Sequence, residues 1–105
     1  MFNFFRKIPK ISAKDFIEIK DEIEVLDVRG PKEVSKEERE FFPNYTLIPV
    51  TELKDEVDTL DKDKTYYVLC RSGQRSTVAS GILSENNIEN IVVVGGMMQV
   101  NKEIK

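Results

Sequence analysis

The residues best suited to chemistry surround Cys70, the single cysteine of the chain. Cys70 ends a strand-like run, and the loop after it reads Arg71-Ser72-Gly73-Gln74-Arg75-Ser76. No acidic residue occurs from Cys70 to Ser84, although 33% of the chain is charged, so the surroundings of the sulfur are locally positive. If the loop curls round the sulfur, its N–H groups converge with those that begin the next helix. We therefore expect Cys70 to be a nucleophilic thiolate.

The loop residues have types that suit an anion-binding turn. Gly73 permits a tight turn, Ser72 and Ser76 offer hydroxyl donors, and the two arginines supply positive charge. We therefore predict that residues 71–76, including Gln74, bind the substrate. The alternative for Cys70 is a small buried hydrophobic residue, and for Arg71 and Arg75 a solvated face or a bridge to nearby carboxylates.

The cysteine and histidine counts exclude several kinds of site. With one cysteine the chain cannot form an internal disulfide, and with no histidine it cannot build a common zinc or iron–sulfur site. Catalytic triads that use histidine are excluded as well. We expect no metal and no cofactor, and any catalysis must use Cys70, carboxylates, lysines, tyrosines or backbone groups.

Length and charge limit the organisation and the partners. A chain of 105 residues is long enough for one core and too short for two domains, so we predict a single domain over residues 1–105. The net charge of −3 argues against a large basic face for nucleic acid. No run approaches the roughly 18 apolar residues of a membrane span, so we expect a cytoplasmic protein without a membrane partner. Residues 1–10 are expected to form an N-terminal arm or edge strand.

Strand-like and helix-like segments alternate along the chain, which predicts an α/β fold. The predicted strands are Ile8–Lys10, Glu24–Val28, Leu47–Val50, Tyr66–Cys70 and Ile91–Val94. The predicted helices follow the capping residue Ser12, cover Lys32–Glu40, cover Glu52–Leu60 after a Thr51 cap, run from Ser76 to Asn86, and cover Met97–Ile104. These elements predict a mainly parallel sheet of about five strands with helices on both faces. In such sheets ligands bind beyond the carboxyl ends of the strands, where Cys70 is expected.

The chain resembles the single-domain rhodanese-like sulfurtransferases from about Glu24 to Met97. The matching pieces are Leu26-Asp27-Val28-Arg29 followed by Glu33, Ile48-Pro49 followed by Leu53, the loop Cys70–Ser76, and Gly95-Gly96 after a valine-rich strand. The loop with its flanking strand and helix is the most specific piece. The resemblance implies the doubly wound rhodanese-like fold.

The resemblance also implies a sulfur-transfer mechanism. Cys70 thiolate would attack a sulfane sulfur donor, hold the sulfur as a persulfide, and pass it to a nucleophilic acceptor. Arg71 and Arg75 would attract a small anionic donor such as thiosulfate or polysulfide, and a thiol, cyanide or a sulfur-relay protein would accept the sulfur. Asp27 and Arg29 would brace the site through ion pairs and hydrogen bonds.

Two other functions remain open. The chain could be a non-catalytic sulfur carrier or an anion-binding module. It could also be a phosphatase or arsenate reductase, because enzymes of those kinds share a similar fold. Their loops have one more residue between cysteine and arginine than the C-x-x-x-x-R spacing of Cys70 and Arg75, which favours sulfur transfer.

The chain departs from the family pattern at two places. Phe41–Pro49 replaces a His-Ile-Pro-Gly-Ala run and its continuation, which predicts an altered connection near the site. The tryptophan that usually follows the double glycine is absent, and Met97, Met98 and Val100 occupy that region. We expect a repacked core around the last helix.

Overall fold

The computed structural model describes residues 7–104, which form a five-stranded sheet with every pair of neighbouring strands parallel. The strands are β1 (Lys10–Ile11), β2 (Glu24–Asp27), β3 (Tyr45–Leu47), β4 (Tyr66–Leu69) and β5 (Asn90–Val93). Their order across the sheet is β1-β5-β4-β2-β3. The predicted α/β class with a parallel sheet of about five strands is confirmed, and β4 lies at its centre.

Helices cover both faces of this sheet, as predicted. They are α1 (Ala13–Ile19), α2 (Lys36–Phe41), α3 (Val50–Glu56), α4 (Gln74–Glu85) and α5 (Gly96–Glu103). Buried residues of α1 and α5 pack on one face, around Phe16, Met97 and Val100. Those of α3 and α4, including Leu53 and Leu83, pack on the other.

The two cores follow from the alternation of side chains along each strand. In β2, Val25 belongs to the α1/α5 side and Leu26 to the α3/α4 side. In β4, Leu69 and Val68 divide in the same way. Because both faces are covered, the two strands need apolar residues at successive positions, and this explains the apolar runs in the sequence.

The helix predicted over Lys32–Glu40 is wrong in its extent. A single 3-10 turn over Pro31–Glu33 comes first, and α2 starts afresh at Lys36. Ser35 separates them because its hydroxyl accepts the Glu38 N–H at 3.1 Å and so caps α2. The S-x-x-E signature of this cap is present in the sequence.

The third strand and the helix after it also differ from the prediction. The strand covers Tyr45–Leu47 rather than Leu47–Val50, and the helix starts at Val50 with Pro49 as its N-cap, so Thr51 is no cap. Proline lacks an N–H and its fixed φ suits a helix start, which explains the earlier boundary.

The remaining elements agree with the predictions within one or two residues. The first strand is displaced, because only Lys10 of the predicted Ile8–Lys10 lies in β1, at the edge of the sheet. Residues 1–6 of the predicted N-terminal arm lie outside the described residues. Among the helices of residues 7–104, none is both long and apolar enough to cross a membrane.

Candidate active site

Cys70 follows directly on the central strand β4, at the carboxyl edge of the sheet. Cys70 is only 1% exposed, and its Sγ accepts the Gly73 N–H at 2.9 Å. The loop therefore curls back on the sulfur. An N–H donor aimed at sulfur is a contact that favours negative charge there.

Gly73 connects the loop to α4 in a conformation that suits glycine. Its φ is +111°, and it is the N-cap residue of the helix that starts at Gln74. Most residues with a Cβ avoid this backbone region. The first N–H groups of α4 lack intrahelical partners, so the sulfur lies beside the positive end of a 12-residue helix.

The double glycine fixes the other side of the loop. The Met97 N–H donates to the Cys70 carbonyl at 2.7 Å, and the Met98 N–H donates to the Arg71 carbonyl at 3.0 Å. A Cβ on Gly96 would lie 2.5 Å from the Cys70 oxygen and 2.6 Å from the Arg71 carbonyl. The double glycine therefore allows α5 to approach the backbone of the cysteine loop itself.

Arg75 makes an ion pair with a carboxylate rather than presenting a free cation. Its two terminal nitrogens each donate to one Glu33 oxygen at 2.7 Å. The hydrogen bonds with Arg75 lower the pKa of Glu33 from its ordinary value of 4.5 to about 2, and the Gly30 N–H assists. The bonds to Glu33 raise the pKa of Arg75, and the charge of Cys70 acts in the same direction. The bridge alternative therefore describes Arg75 in this structure.

The other predicted site residues occupy different positions. Arg71, Ser72 and Gln74 are exposed around the loop. Ser76 is buried, and its hydroxyl donates to the Val68 carbonyl at 3.4 Å, which ties α4 to β4. The structure thus brings Arg71, Ser72 and Gln74 to the surface near Cys70, while Ser76 has a partner in the strand.

Asp27 and Arg29 form a buried ion pair on the neighbouring strand end. The Asp27 carboxylate accepts Arg29 Nη2 at 2.7 Å and the Tyr45 hydroxyl at 2.6 Å. Arg29 Nη1 donates to Glu38 at 2.9 Å and to the Glu33 carbonyl at 3.3 Å. These contacts hold the segment that carries Glu33.

The pKa values of Arg29 and Tyr45 both lie above their ordinary values. Burial alone would lower the pKa of Arg29, but the hydrogen bonds and charges of Asp27 and Glu38 outweigh it and raise the pKa. Burial and the bond to Asp27 raise the pKa of Tyr45 above its ordinary value. Sequence reasoning missed Tyr45 and Glu38. For Glu38 the S-x-x-E signature with Ser35 is a signal that could have placed it at the start of α2, but nothing in the sequence indicates the contact with Arg29.

Within residues 7–104, two clefts flank the cysteine loop. The larger has a volume of about 440 Å³ and is lined by Arg29, Lys32, Glu33, Glu38, Arg71, Met97, Met98 and Asn101. The smaller, of about 230 Å³, includes Ser72, Gly73, Gln74 and Lys10. Among residues 7–104 there is no group of three or more cysteine, aspartate or glutamate side chains placed to hold a metal ion.

The fold and the site together define an α/β protein with a cysteine-centred loop at the carboxyl edge of a parallel sheet. The sequence pattern of the rhodanese-like domain matches residues 12–103, so the chain belongs to the rhodanese-like domain family. The resemblance seen in the sequence, and the fold it implied, are confirmed.

Individual relatives agree with this assignment. YtwF of Bacillus subtilis, provisionally named a sulfurtransferase, is 34% identical over 100 residues, which cover 95% of this chain and 94% of YtwF. YrkF of the same species, provisionally named a sulfur carrier protein, is 29% identical over 91 residues, 86% of this chain but only 49% of YrkF. A rhodanese-related protein of Thermoplasma volcanium superposes with a TM-score of 0.79 at 34% identity, covering 90% of this chain and 92% of that one.

Proposed function

We propose that this protein is a sulfurtransferase that moves sulfane sulfur through a persulfide on Cys70. The observation that carries the proposal is the Gly73 N–H directed at Sγ, 2.9 Å away, at the start of α4. This arrangement supports an anionic sulfur without a histidine base, and the chain has no histidine. The names of the relatives also support sulfur transfer.

The first half-reaction loads the protein. With thiosulfate as donor, the Cys70 thiolate attacks the outer sulfur, an S–S bond forms to Cys70, and the donor's own S–S bond breaks. Sulfite leaves with the electron pair of that bond. The product, a persulfide anion, keeps its negative charge beside the Gly73 N–H and the positive end of α4, which stabilises it.

The second half-reaction returns the thiolate. A nucleophilic acceptor attacks the outer sulfur of the persulfide, and Cys70 leaves as thiolate. Arg71 is exposed next to the cysteine and has no ion pair with any residue between 7 and 104, so it is placed to attract anionic donors. Arg75, held by Glu33, keeps the start of α4 in position instead.

A second function, that of a sulfur carrier for a partner protein, uses the same Cys70 persulfide. The name of YrkF supports this second function. The buried position of Cys70 suits it, because a persulfide with little exposure to bulk water survives until a partner reaches it. The phosphatase and arsenate reductase alternatives have no observation in their favour. The loop from Cys70 to Ser76 contains no acid that could protonate a leaving alcohol.

The test is turnover of thiosulfate and cyanide to sulfite and thiocyanate. We expect the wild-type protein to produce thiocyanate and the Cys70→Ser variant to fall to the uncatalysed rate, with circular dichroism showing that the near-isosteric variant is folded. Aryl phosphate hydrolysis and arsenate reduction are measured beside it. Thiocyanate production by the serine variant, or turnover of a phosphate ester or arsenate without thiocyanate production, would overturn the proposal.

A further inference from the structure

Exposed apolar side chains are concentrated at one edge of the molecule. Within residues 7–104, four large apolar residues are exposed. Val94 and Met98 are each 49% exposed, and Val78 is 60% exposed. The fourth, Ile104, follows the last turn of α5 and so lies at the far end of that helix.

The first three of these residues surround the cysteine loop. Val94 and Gln74 line the smaller cleft beside the loop, and Val78 lies one helical turn after Gln74 in α4. Met98 lines the larger cleft, and its N–H donates to the Arg71 carbonyl at 3.0 Å. One exposed apolar residue is ordinary on a protein surface, whereas a group of them indicates an interaction site.

Unpaired cations border the same two clefts. Lys10, Lys32 and Arg71 form no ion pair with any residue between 7 and 104. The carboxylates that line the clefts, Glu33 and Glu38, are each bonded to an arginine. This edge is therefore locally positive, although the chain carries a net charge of −3. Free cations around an apolar group favour an acidic partner and speed its association.

The composition of this edge fits a protein better than a nucleic acid. Apolar residues with charged residues around them are typical of protein–protein interfaces. Proteins that bind single-stranded nucleic acid use aromatic side chains on which the bases stack. None of the exposed apolar residues or unpaired cations at this edge is aromatic.

We propose that this edge docks an acidic partner protein that accepts the sulfur, and that the partner carries its thiol among apolar and acidic side chains. The inference rests on the proposed function, because the partner discharges the Cys70 persulfide. The surface, called the docking rim below, consists of Lys10, Lys32, Arg71, Val78, Val94 and Met98.

The transfer to the partner is balanced. The partner's thiol gives its proton to the outer sulfur of the persulfide anion, and the resulting thiolate attacks that sulfur. An S–S bond forms between the partner and the outer sulfur, and the bond from the outer sulfur to Sγ breaks. Sγ keeps the electron pair and leaves as thiolate, so no oxidant or reductant is consumed.

The experiment uses synthetic peptides of equal length as probes, each with one central cysteine. The first has leucines beside the cysteine and glutamates outside them. In the second and third, glutamine or lysine replaces glutamate, and in the fourth, serine replaces leucine. Wild-type protein is loaded with thiosulfate, and the sulfur gained by each peptide is followed by mass spectrometry. Because the flanks change the ionisation of cysteine, rates are compared per thiolate. We expect the glutamate and leucine peptide to react about tenfold faster than the lysine peptide, and several-fold faster than the other two.

Variants test whether the docking rim causes this preference. Lys10→Gln, and separately Val94→Thr, which keeps the shape of valine, should each slow transfer to the glutamate and leucine peptide about threefold. Neither side chain has a role in loading, so the rate of loading from thiosulfate should stay the same.

The matched controls change the same residue types away from the rim. They are Lys62→Gln, in the turn before β4 and so at the opposite end of that strand from Cys70, and Ile104→Thr. Both should transfer sulfur to the peptide at the wild-type rate.

The outcomes separate the two proposals. Normal loading followed by equal rates for the four peptides, or equal effects of the rim and control variants, would overturn the docking inference and leave the proposed function standing. A single-stranded RNA oligonucleotide that blocks the transfer at a concentration where a glutamate peptide without cysteine does not would also overturn it, in favour of a nucleic-acid partner. Failure of wild-type protein to load would overturn the proposed function, and the inference with it.

Discussion

Arg75 shows how folding redistributes the charge of the cysteine loop. From the sequence it is one of two cations beside the sulfur, and anion capture is its predicted role. In the structure both of its terminal nitrogens are bonded to Glu33, whose backbone segment is in turn held by Arg29. Arg75 therefore fastens α4 to the connection after β2, and Arg71 is left as the loop cation without an ion pair among residues 7–104.

The Glu33→Gln variant tests the ion pair between Arg75 and Glu33 through the pH dependence of the free energy of unfolding. The folded state lowers the pKa of Glu33 from 4.5 to about 2, so the charged pair stabilises the protein fully above its unfolded pKa. This stability is lost as pH falls from about 4.5 toward 2. We expect the variant to be less stable than wild type at pH 7 by at most about 1 kcal/mol, since the pair is partly exposed and screened by solvent.

The measurement is the free energy of unfolding in urea at several pH values. The difference between wild type and Glu33→Gln should shrink as pH falls through this window. Glu18→Gln, an exposed glutamate in α1, is the matched control and should show little difference at any pH. A Glu33→Gln difference that is the same at pH 7 and near pH 2 would contradict the role of the charged pair.

At the scale of elements, the site depends on the contact between α5 and the cysteine loop. The N–H groups at the start of α5 hold the carbonyls of Cys70 and Arg71, and only a glycine at position 96 leaves room for them. The φ of Gly96 is +60°, which further disfavours a side chain. The double glycine thus helps to orient the cysteine loop through the contacts of α5 with the Cys70 and Arg71 carbonyls.

Gly96→Ala should destabilise the protein by about 2–4 kcal/mol, through overpacking against the loop and backbone strain. It should also slow persulfide formation, because the loop must move away from the added methyl group. The matched control is Gly81→Ala in α4, where a Cβ meets no atom within 4 Å. Alanine there should stabilise the helix by about 0.5–1 kcal/mol. Urea unfolding and loading rates measure both, and a neutral Gly96→Ala would contradict the close approach.

The elements that the sequence predicted well are those with a strong local signal. The apolar run at Tyr66–Cys70 is continuous because β4 is central and covered on both faces. The segment after Gly73 contains no proline before Asn86, and its single glycine, Gly81, does not interrupt the helix. The Ser12 cap was predictable for the same reason, since its hydroxyl accepts the Asp15 N–H only three residues away.

The errors at Ser35 and Pro49 concern caps with local signals, whereas other errors occur where contacts distant in sequence decide the structure. Tyr45 lies in β3 because this strand pairs with β2, opposite Val25, and its hydroxyl reaches Asp27. Neither contact can be inferred from the residues next to Tyr45 in the sequence. The bridge between Arg75 and Glu33 joins residues 42 positions apart, so its partners could be proposed as charges but not as a pair.

At the scale of the whole molecule, the strand order β1-β5-β4-β2-β3 assembles the site from three connections. The connection after β2 supplies Arg29 and Glu33, the loop after β4 supplies Cys70, and the turn after β5 supplies Gly96. The carboxyl ends of β2, β4 and β5 are adjacent, so all three connections meet at one edge. The alternation of strands and helices predicted this edge as the place of the site, but the order of the strands came only with the structure.

The most direct test of the proposed sulfur transfer is whether Cys70 carries sulfur. Wild-type protein and Cys70→Ser are incubated briefly with thiosulfate and, separately, with polysulfide, and their intact masses are measured before and after cyanide. We expect wild type to gain the mass of one sulfur atom and lose it to cyanide, and the variant to gain none. No gain with either donor, or an equal gain in the serine variant, would contradict the persulfide on Cys70.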